Sequence, residues 1–268
     1  MNLKITPLTG SVGAAVEGIR LGEPLAAEHF AQLQEAFLRH CVLVFRDQHL
    51  GPAAQLGFAR LWGEPVVTPL LSKQQLGDYP DVIQLRTEPK SAFSTEAWHY
   101  DGPHTAVPPK LTMLSAQVIP VGGDTMWSNQ YLAYESLSPV MQRMLVDLRV
   151  QFRAVRAAGR FKGVADADIP EAVHPLVRTH PQTGRKALYL GPPDNVQKFD
   201  GMTKEESRPL LDFLYAHSTQ PDNVYRHMWR VGDLLMWDNR CTLHYAIHDY
   251  GTQERVLNRV TLKGEVPV

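Results

Sequence analysis

The 268-residue chain is 44% hydrophobic and 21% charged, with a net charge of −1. That length suits one domain, residues 1–268, with a substantial apolar interior, and the charge balance gives no support to a nucleic-acid groove. The opening MNLKITPLTG has no apolar stretch like that of a secretion signal, and no apolar run reaches membrane-spanning length. The two cysteines, Cys41 and Cys241, form no CxxC pair, so a cytoplasmic protein with free thiols and no membrane partner is expected. The expected assembly is a homo-oligomer.

LKITPL reads as the first strand. Residues 26–40 place Phe30, Leu33, Phe37 and Leu38 on one helical stripe. CVLVFRD (41–47), DVIQLRT (81–87) and LTMLSAQV (111–118) are rich in β-branched and aromatic residues and read as strands. A helix over 139–148 carries Met141, Met144, Leu145 and Leu148 behind Ser138 as N-cap and Pro139 at its first position. Residues 155–172 read as a loop, either a lid or an ordinary surface excursion. ALYLG (187–191) reads as another strand. Thr203 and Glu206 have the spacing of a capping box ahead of Leu210, Leu211 and Leu214, but Pro209 argues for a helix starting at Ser207. Leu234 to Trp237 reads as a buried strand between turns, and RVLNRVTLKG (255–264) as a last strand. Strands bunched around a few helices, without βαβ alternation, argue for a mainly β fold with flanking helices and a jelly-roll core.

Chemistry concentrates first in WHYDGPH (98–104). In an extended segment His99 and Asp101 point to the same face and set an imidazole beside a carboxylate. That is two-thirds of the 2-His-1-carboxylate set of non-haem Fe(II) oxygenases, although His-x-Asp alone is common without any metal. A third ligand must come from His174, His180, His217, His227, His244 or His248. His244 is followed by Arg255 and then Arg259. On a strand Arg255, Leu257, Arg259 and Thr261 share one face, with Val256, Val260 and Leu262 on the other. The arginines are then either solvated on an edge strand or interior holders of carboxylates, about 13 Å apart and suited to two different anions.

Taken together, His99-x-Asp101, GGDTMW (Gly122 to Trp127), WDNRCTLH (Trp237 to His244), Arg255 and Arg259 resemble the Fe(II)/2-oxoglutarate-dependent dioxygenases of the taurine dioxygenase and 2,4-dichlorophenoxyacetate dioxygenase group. The resemblance extends to VLVFRDQ near the start and HPLVRTHPQTGRKALYLG (174–191), and so over nearly the whole chain. It implies a double-stranded β-helix core, Fe(II) held by His99, Asp101 and His244, and O2 as co-substrate. It also implies that Arg255 and Thr125 bind the distal carboxylate of 2-oxoglutarate, and that Arg259 meets an acidic group of a small-molecule anionic substrate. Trp237 matches an aromatic near the iron; core packing is its other reading. The reaction implied is hydroxylation of a small carboxylate, sulfonate or sulfate ester, with succinate and CO2 as co-products. Related halogenases vacate the carboxylate position that Asp101 fills here.

The resemblance thins at the substrate. GEPVVTPLLSK (63–73) has neither the histidine nor the tyrosine with which the taurine enzyme grips its sulfonate, and Thr95 stands in the place of its asparagine. Taurine itself is therefore not the expected substrate. Thr95 and Tyr100 are the candidate substrate contacts beside Arg259. His104 also flanks the site, and Val66, Val67, Leu70 and Leu71 suggest an apolar wall. Two rivals stay open: a metal-binding sensor without turnover, and a zinc hydrolase, which would not need Arg255 at its fixed offset.

Overall fold

The computed structural model describes residues 3–67, 74–87, 96–154, 169–191 and 196–268. In chain order β1 (Lys4–Pro7) and β2 (Ala14–Glu17) are followed by α1 (Ala27–His40), β3 (Val42–Phe45) and α2 (Pro52–Trp62). Next come β4 (Gln75–Leu76), β5 (Tyr79–Thr87), β6 (Leu111–Val118), β7 (Thr125–Asn129), α3 (Gln130–Glu135), α4 (Pro139–Leu145) and β8 (Arg149–Arg153). Then β9 (Glu171–Pro175), β10 (Val177–Thr179), β11 (Lys186–Leu188) and β12 (Val196–Phe199) lead to α5 (Lys204–Ser218). β13 (Val224–His227), β14 (Leu234–Asp238), β15 (Thr242–Ala246) and β16 (Arg255–Leu262) follow.

An eight-stranded sheet runs β1-β2-β3-β14-β6-β16-β5-β4, and a three-stranded sheet runs β13-β7-β15. Period-two alternation assigns each side chain to a layer. Leu43, Phe45, Leu111, Met113, Leu234, Met236, Val260 and Leu262 pack with Leu33 and Phe37 of α1 and Leu56 and Phe58 of α2. Their neighbours Val42, Val44, Leu114, Ala116, Leu235, Trp237 and Leu257 turn the other way and meet Trp127 and Tyr225 of the small sheet. The two sheets thus enclose a core, with helices outside the large one, which is the double-stranded β-helix expected from the sequence.

β16 lies between β6 and β5, so the edge-strand reading of its arginines is excluded. Leu257 in the intersheet core and Val260 and Leu262 under the helices confirm the expected division of faces.

α5 starts earlier than Pro209 suggests. Thr203 accepts the Glu206 N–H at 3.2 Å, and the Glu206 carboxylate accepts the Thr203 N–H at 2.8 Å. Pro209 then lies inside the helix. The carbonyl that its missing N–H leaves without a partner is that of Glu205, on an exposed turn that water can reach.

α2 is only partly announced by the sequence: Pro52 stands at its first position, but Gly57 within it weakens the pattern, and its cap, Gly51, has no side chain to accept a hydrogen bond. Of the expected lid, residues 155–168 lie outside the described residues, while Glu171 and Ala172 belong to β9, paired with Arg153 and Phe152 of β8.

Candidate metal and cofactor site

His99 meets β15 through a single antiparallel bridge to His244. Its N–H donates to the His244 carbonyl at 2.9 Å, and the His244 N–H donates back at 3.0 Å. This local extension sends His99 and Asp101 one way and Tyr100 the other. The two imidazoles lie 4.1 Å apart between centroids, and one donor atom from each of His99, Asp101 and His244 falls within 4.8 Å of the others. The other histidine candidates for the third ligand are engaged elsewhere. His174 bonds the Thr105 carbonyl at 3.0 Å, His180 Asp238 at 3.1 Å, His217 the Ala133 carbonyl at 2.9 Å, His227 Asp233 at 3.2 Å and His248 Glu96 at 3.0 Å.

Asp101 is held asymmetrically. Its Oδ2 accepts from Thr112 Oγ at 2.7 Å and from Asn239 Nδ2 at 3.3 Å. Asn239 is itself oriented by Trp237, whose Nε1 donates to Asn239 Oδ1 at 2.8 Å. Oδ1 faces His244 Nε2 at 3.7 Å and Arg259 Nη2 at 2.9 Å. Burial pushes the carboxyl pKa upward, but Arg259, then the two histidines and the Thr112 hydroxyl outweigh it and hold Asp101 ionised well below the usual carboxylate range. Burial, His99 and Arg259 hold the His244 imidazole neutral, against Asp101. Trp237 packs in the intersheet core, and its ring lies 4.8 Å from the His244 ring.

The donor set fits a divalent iron. Two imidazoles and one carboxylate on one side suit Fe(II). The His99 Nδ1–H donates to the Ala97 carbonyl at 2.6 Å, which fixes the tautomer that leaves Nε2 with its lone pair. His244 Nδ1 is buried and has no hydrogen-bond partner among the described residues.

A second arrangement lies at the start of β16. Gly122 and Gly123 have φ of 87° and 72°, and a Cβ on Gly123 would stand 3.1 Å from Arg255 Cδ and Nε. Only glycine lets the backbone approach so closely. The Gly123 carbonyl accepts from Arg255 Nε at 3.1 Å, and Arg255 Nη2 lies 3.4 Å from Thr125 Oγ. Trp229 Nε1 also donates to Thr125 Oγ, at 3.0 Å. With two donors pointing at its oxygen, Thr125 has its own proton left to give. Asp124 pairs with Arg226 at 2.7 Å, and among the described residues no carboxylate pairs with Arg255, although Arg255 is only 6% exposed. Burial lowers its pKa, against Tyr250 and Asp124, which favour the charge. A buried guanidinium without a carboxylate is a site for a carboxylate from outside.

Arg259 projects from the same face, with Nε on Thr261 Oγ at 3.0 Å. Val66 N–H donates to the Thr261 carbonyl at 2.8 Å, which brings the GEPVV segment to this end of β16. Tyr100 is placed otherwise than expected of a substrate contact. It is 2% exposed, packs on Tyr189 and donates to the Leu188 carbonyl at 2.6 Å, so packing accounts for it. Thr95, Leu70 and Leu71 lie outside the described residues. Thr112, Asn239, Trp229 and Tyr250 were not singled out in the sequence. Asn239 lies inside WDNRCTLH, while Thr112 shows only as one of three polar residues, with Ser115 and Gln117, in LTMLSAQV.

The chain matches the profile of the taurine catabolism dioxygenase TauD, TfdA family over residues 4–261. It is 35% identical to an alpha-ketoglutarate-dependent sulfate ester dioxygenase of Pseudomonas putida, across 100% of this chain and 92% of that one. It is 34% identical to the alpha-ketoglutarate-dependent 2,4-dichlorophenoxyacetate dioxygenase of Cupriavidus pinatubonensis, across 97% and 98%. A crystal structure of a taurine dioxygenase from Burkholderia xenovorans superposes with a TM-score of 0.87 at 33% identity, across 99% and 92%. With a profile match from β1 into β16 and a fold shared throughout, this chain belongs to the TauD/TfdA family of 2-oxoglutarate-dependent dioxygenases.

Proposed function

We propose that this protein is an Fe(II)- and 2-oxoglutarate-dependent dioxygenase that hydroxylates a small organic anion, a sulfate ester being the favoured class. The observation that carries the reading is a buried Arg255 that pairs with no carboxylate among the described residues, on the same strand face as Arg259, which reaches Asp101 of a two-histidine, one-carboxylate cluster. A zinc hydrolase has no use for the first, and a sensor does not need both.

His99, Asp101 and His244 would hold the iron. Arg255 and the Thr125 hydroxyl would take the distal carboxylate of 2-oxoglutarate. Bound together, iron, 2-oxoglutarate and O2 supply the oxidising chemistry, with succinate and CO2 as co-products. Trp237 and Leu257 keep the interior between the sheets apolar, and Thr112 and Asn239 hold Asp101 in one orientation. Arg259 would bind the substrate's anionic end and set its carbon chain against the metal side of the site, through bidentate geometry that lysine lacks. Hydroxylation beside the ester oxygen leaves a hemiacetal-like product that fragments to sulfate and an aldehyde. The sulfate ester assignment draws on the Pseudomonas putida relative and on the absence of taurine-gripping residues from GEPVVTPLLSK.

We read the chain as one domain, since its large sheet takes strands from β1 to β16. Among the described residues no helix is long and apolar enough to cross a membrane. Buried free Cys41 and Cys241 suit a cytoplasmic setting, and the exposed Val140 and Met144 of α4 offer an apolar surface for self-association.

The test is succinate release from 2-oxoglutarate with alkyl sulfates, alkanesulfonates and aryloxyalkanoates in turn. Stimulation by an anion that vanishes without Fe(II) or O2 is expected. No Fe(II)- and O2-dependent succinate with any anion would refute the enzyme reading.

A further inference from the structure

We propose that the Tyr250 hydroxyl is a further binding group for 2-oxoglutarate, donating to the same distal carboxylate as Arg255 and Thr125. This rests on the cofactor reading above and adds a residue to it.

Tyr250 follows β15 in the segment HDYG and is 4% exposed, yet its hydroxyl oxygen is buried with no hydrogen-bond partner among the described residues. A buried phenol is almost always hydrogen-bonded, because leaving its dipole unpaired forfeits what water would give it. This one flanks the same backbone as Arg255, the buried cation that pairs with no carboxylate among the described residues. A Cβ on Gly123 would lie 3.0 Å from Tyr250 Cδ1 and 3.1 Å from Arg255 Cδ, so the ring and the arginine stem flank one point of backbone. The His248 ring covers another side of the phenol at 5.7 Å between centroids.

The donor count fits a carboxylate. Two oxygens offer about four lone-pair sites. A guanidinium fork fills two of them, the Thr125 hydroxyl a third, and Tyr250 the fourth. A site so built requires a distal carboxylate of its oxoacid, because a ligand without one leaves these four donors without it.

The experiment measures anaerobic binding to the Fe(II)-loaded protein, by calorimetry and by the metal-to-ligand charge-transfer band. The probes are 2-oxoglutarate and 2-oxopentanoate, which has a methyl group where 2-oxoglutarate has its distal carboxylate. Tyr250→Phe is expected to raise the Kd of 2-oxoglutarate roughly tenfold or more, as for a lost hydrogen bond to a charged group. It should leave the Kd of 2-oxopentanoate and of Fe(II) unchanged. Equal weakening of both oxoacids would mark Tyr250 as a packing residue and overturn the proposal, as would no change for either. The apo protein's Tm should hold or rise in Tyr250→Phe; a variant that melts early or fails to fold would show that the hydroxyl already serves the fold, and would also overturn it. Failure of the wild-type Fe(II) protein to bind 2-oxoglutarate would instead bring down the underlying cofactor reading.

Discussion

Thr112 Oγ donates a 2.7 Å hydrogen bond to Asp101 Oδ2, while Oδ1 is the oxygen that faces His244. The hydroxyl therefore selects which carboxylate oxygen is presented to a metal. Thr112→Val keeps the shape and removes the bond. Groups that orient metal ligands typically contribute about 10–100-fold in affinity. Thr112→Val should accordingly weaken Fe(II) or Co(II) binding by about that factor, and Thr112→Ser should restore most of it. Equal metal affinity in the valine variant and the wild type would show that Asn239 alone suffices.

Arg255 and Arg259 should separate cofactor from substrate. Losing one partner of a buried charged pair costs about 2–5 kcal/mol. Arg255→Ala is thus expected to raise the 2-oxoglutarate requirement by one or more orders of magnitude with little change in iron binding. Arg259→Ala should cut substrate-stimulated turnover while the slow substrate-independent conversion of 2-oxoglutarate to succinate survives. Both rates can be read in one preparation. Loss of the uncoupled rate in Arg259→Ala would mean that its 2.9 Å contact with Asp101 serves the metal centre rather than the substrate.

Gly123→Ala tests the close approach of the GGDT turn to the cofactor arginine. The left-handed conformation costs a residue with a Cβ about 1–2 kcal/mol, and the new methyl would press on Arg255 and Tyr250. A Tm lower by a few degrees and a weakened 2-oxoglutarate Kd are expected, with Fe(II) affinity retained. Unchanged cofactor affinity would show that the arginine can shift without consequence.

The His227 imidazole gives the fold a pH dependence. It is fully buried, accepts from Tyr225 Oη at 2.8 Å and bonds Asp233 at 3.2 Å. Burial lowers its pKa below the ordinary value, with Arg46 adding to the effect and Asp233 opposing it. The unfolded chain therefore binds this proton more readily than the native state. Its contribution to stability is present above the unfolded pKa, near 6.5, and is lost as pH falls toward the folded value, at no more than about 1.4 kcal/mol per pH unit. Melting curves from pH 7.5 to 5 should have a shallower pH slope for His227→Gln than for the wild type. Parallel slopes would assign the acid sensitivity to other groups.

Local pattern sufficed for much of this. Alternation along RVLNRVTLKG set Arg255, Leu257 and Arg259 on one face because a strand repeats every two residues, whatever surrounds it. The Thr203 and Glu206 spacing capped α5 because both partners lie within one turn. His99 and Asp101 could be paired for the same reason. Spacing alone left six histidines open for the third ligand; the surroundings of His244 set it apart, and the resemblance then assigned it.

What the chain could not show locally is settled by contacts between distant segments. Asn239 meets Thr112 across 127 positions and Asp101 across 138, and Trp229 meets Thr125 across 104. No local pattern encodes such pairs, so the groups orienting Asp101 and Thr125 became visible only in the folded sheets. The same holds for Tyr100 and Tyr250. Two tyrosines near site motifs look alike in sequence, yet one spends its hydroxyl on the Leu188 carbonyl, and the other, whose ring shares the Gly123 backbone with Arg255, finds no partner for it among the described residues. The sequence placed the reactive residue types. Packing decided which of their polar atoms remain for a ligand, because a buried hydrogen-bonding group is committed by whatever the fold brings within about 3 Å of it, the donor–acceptor distance of a hydrogen bond.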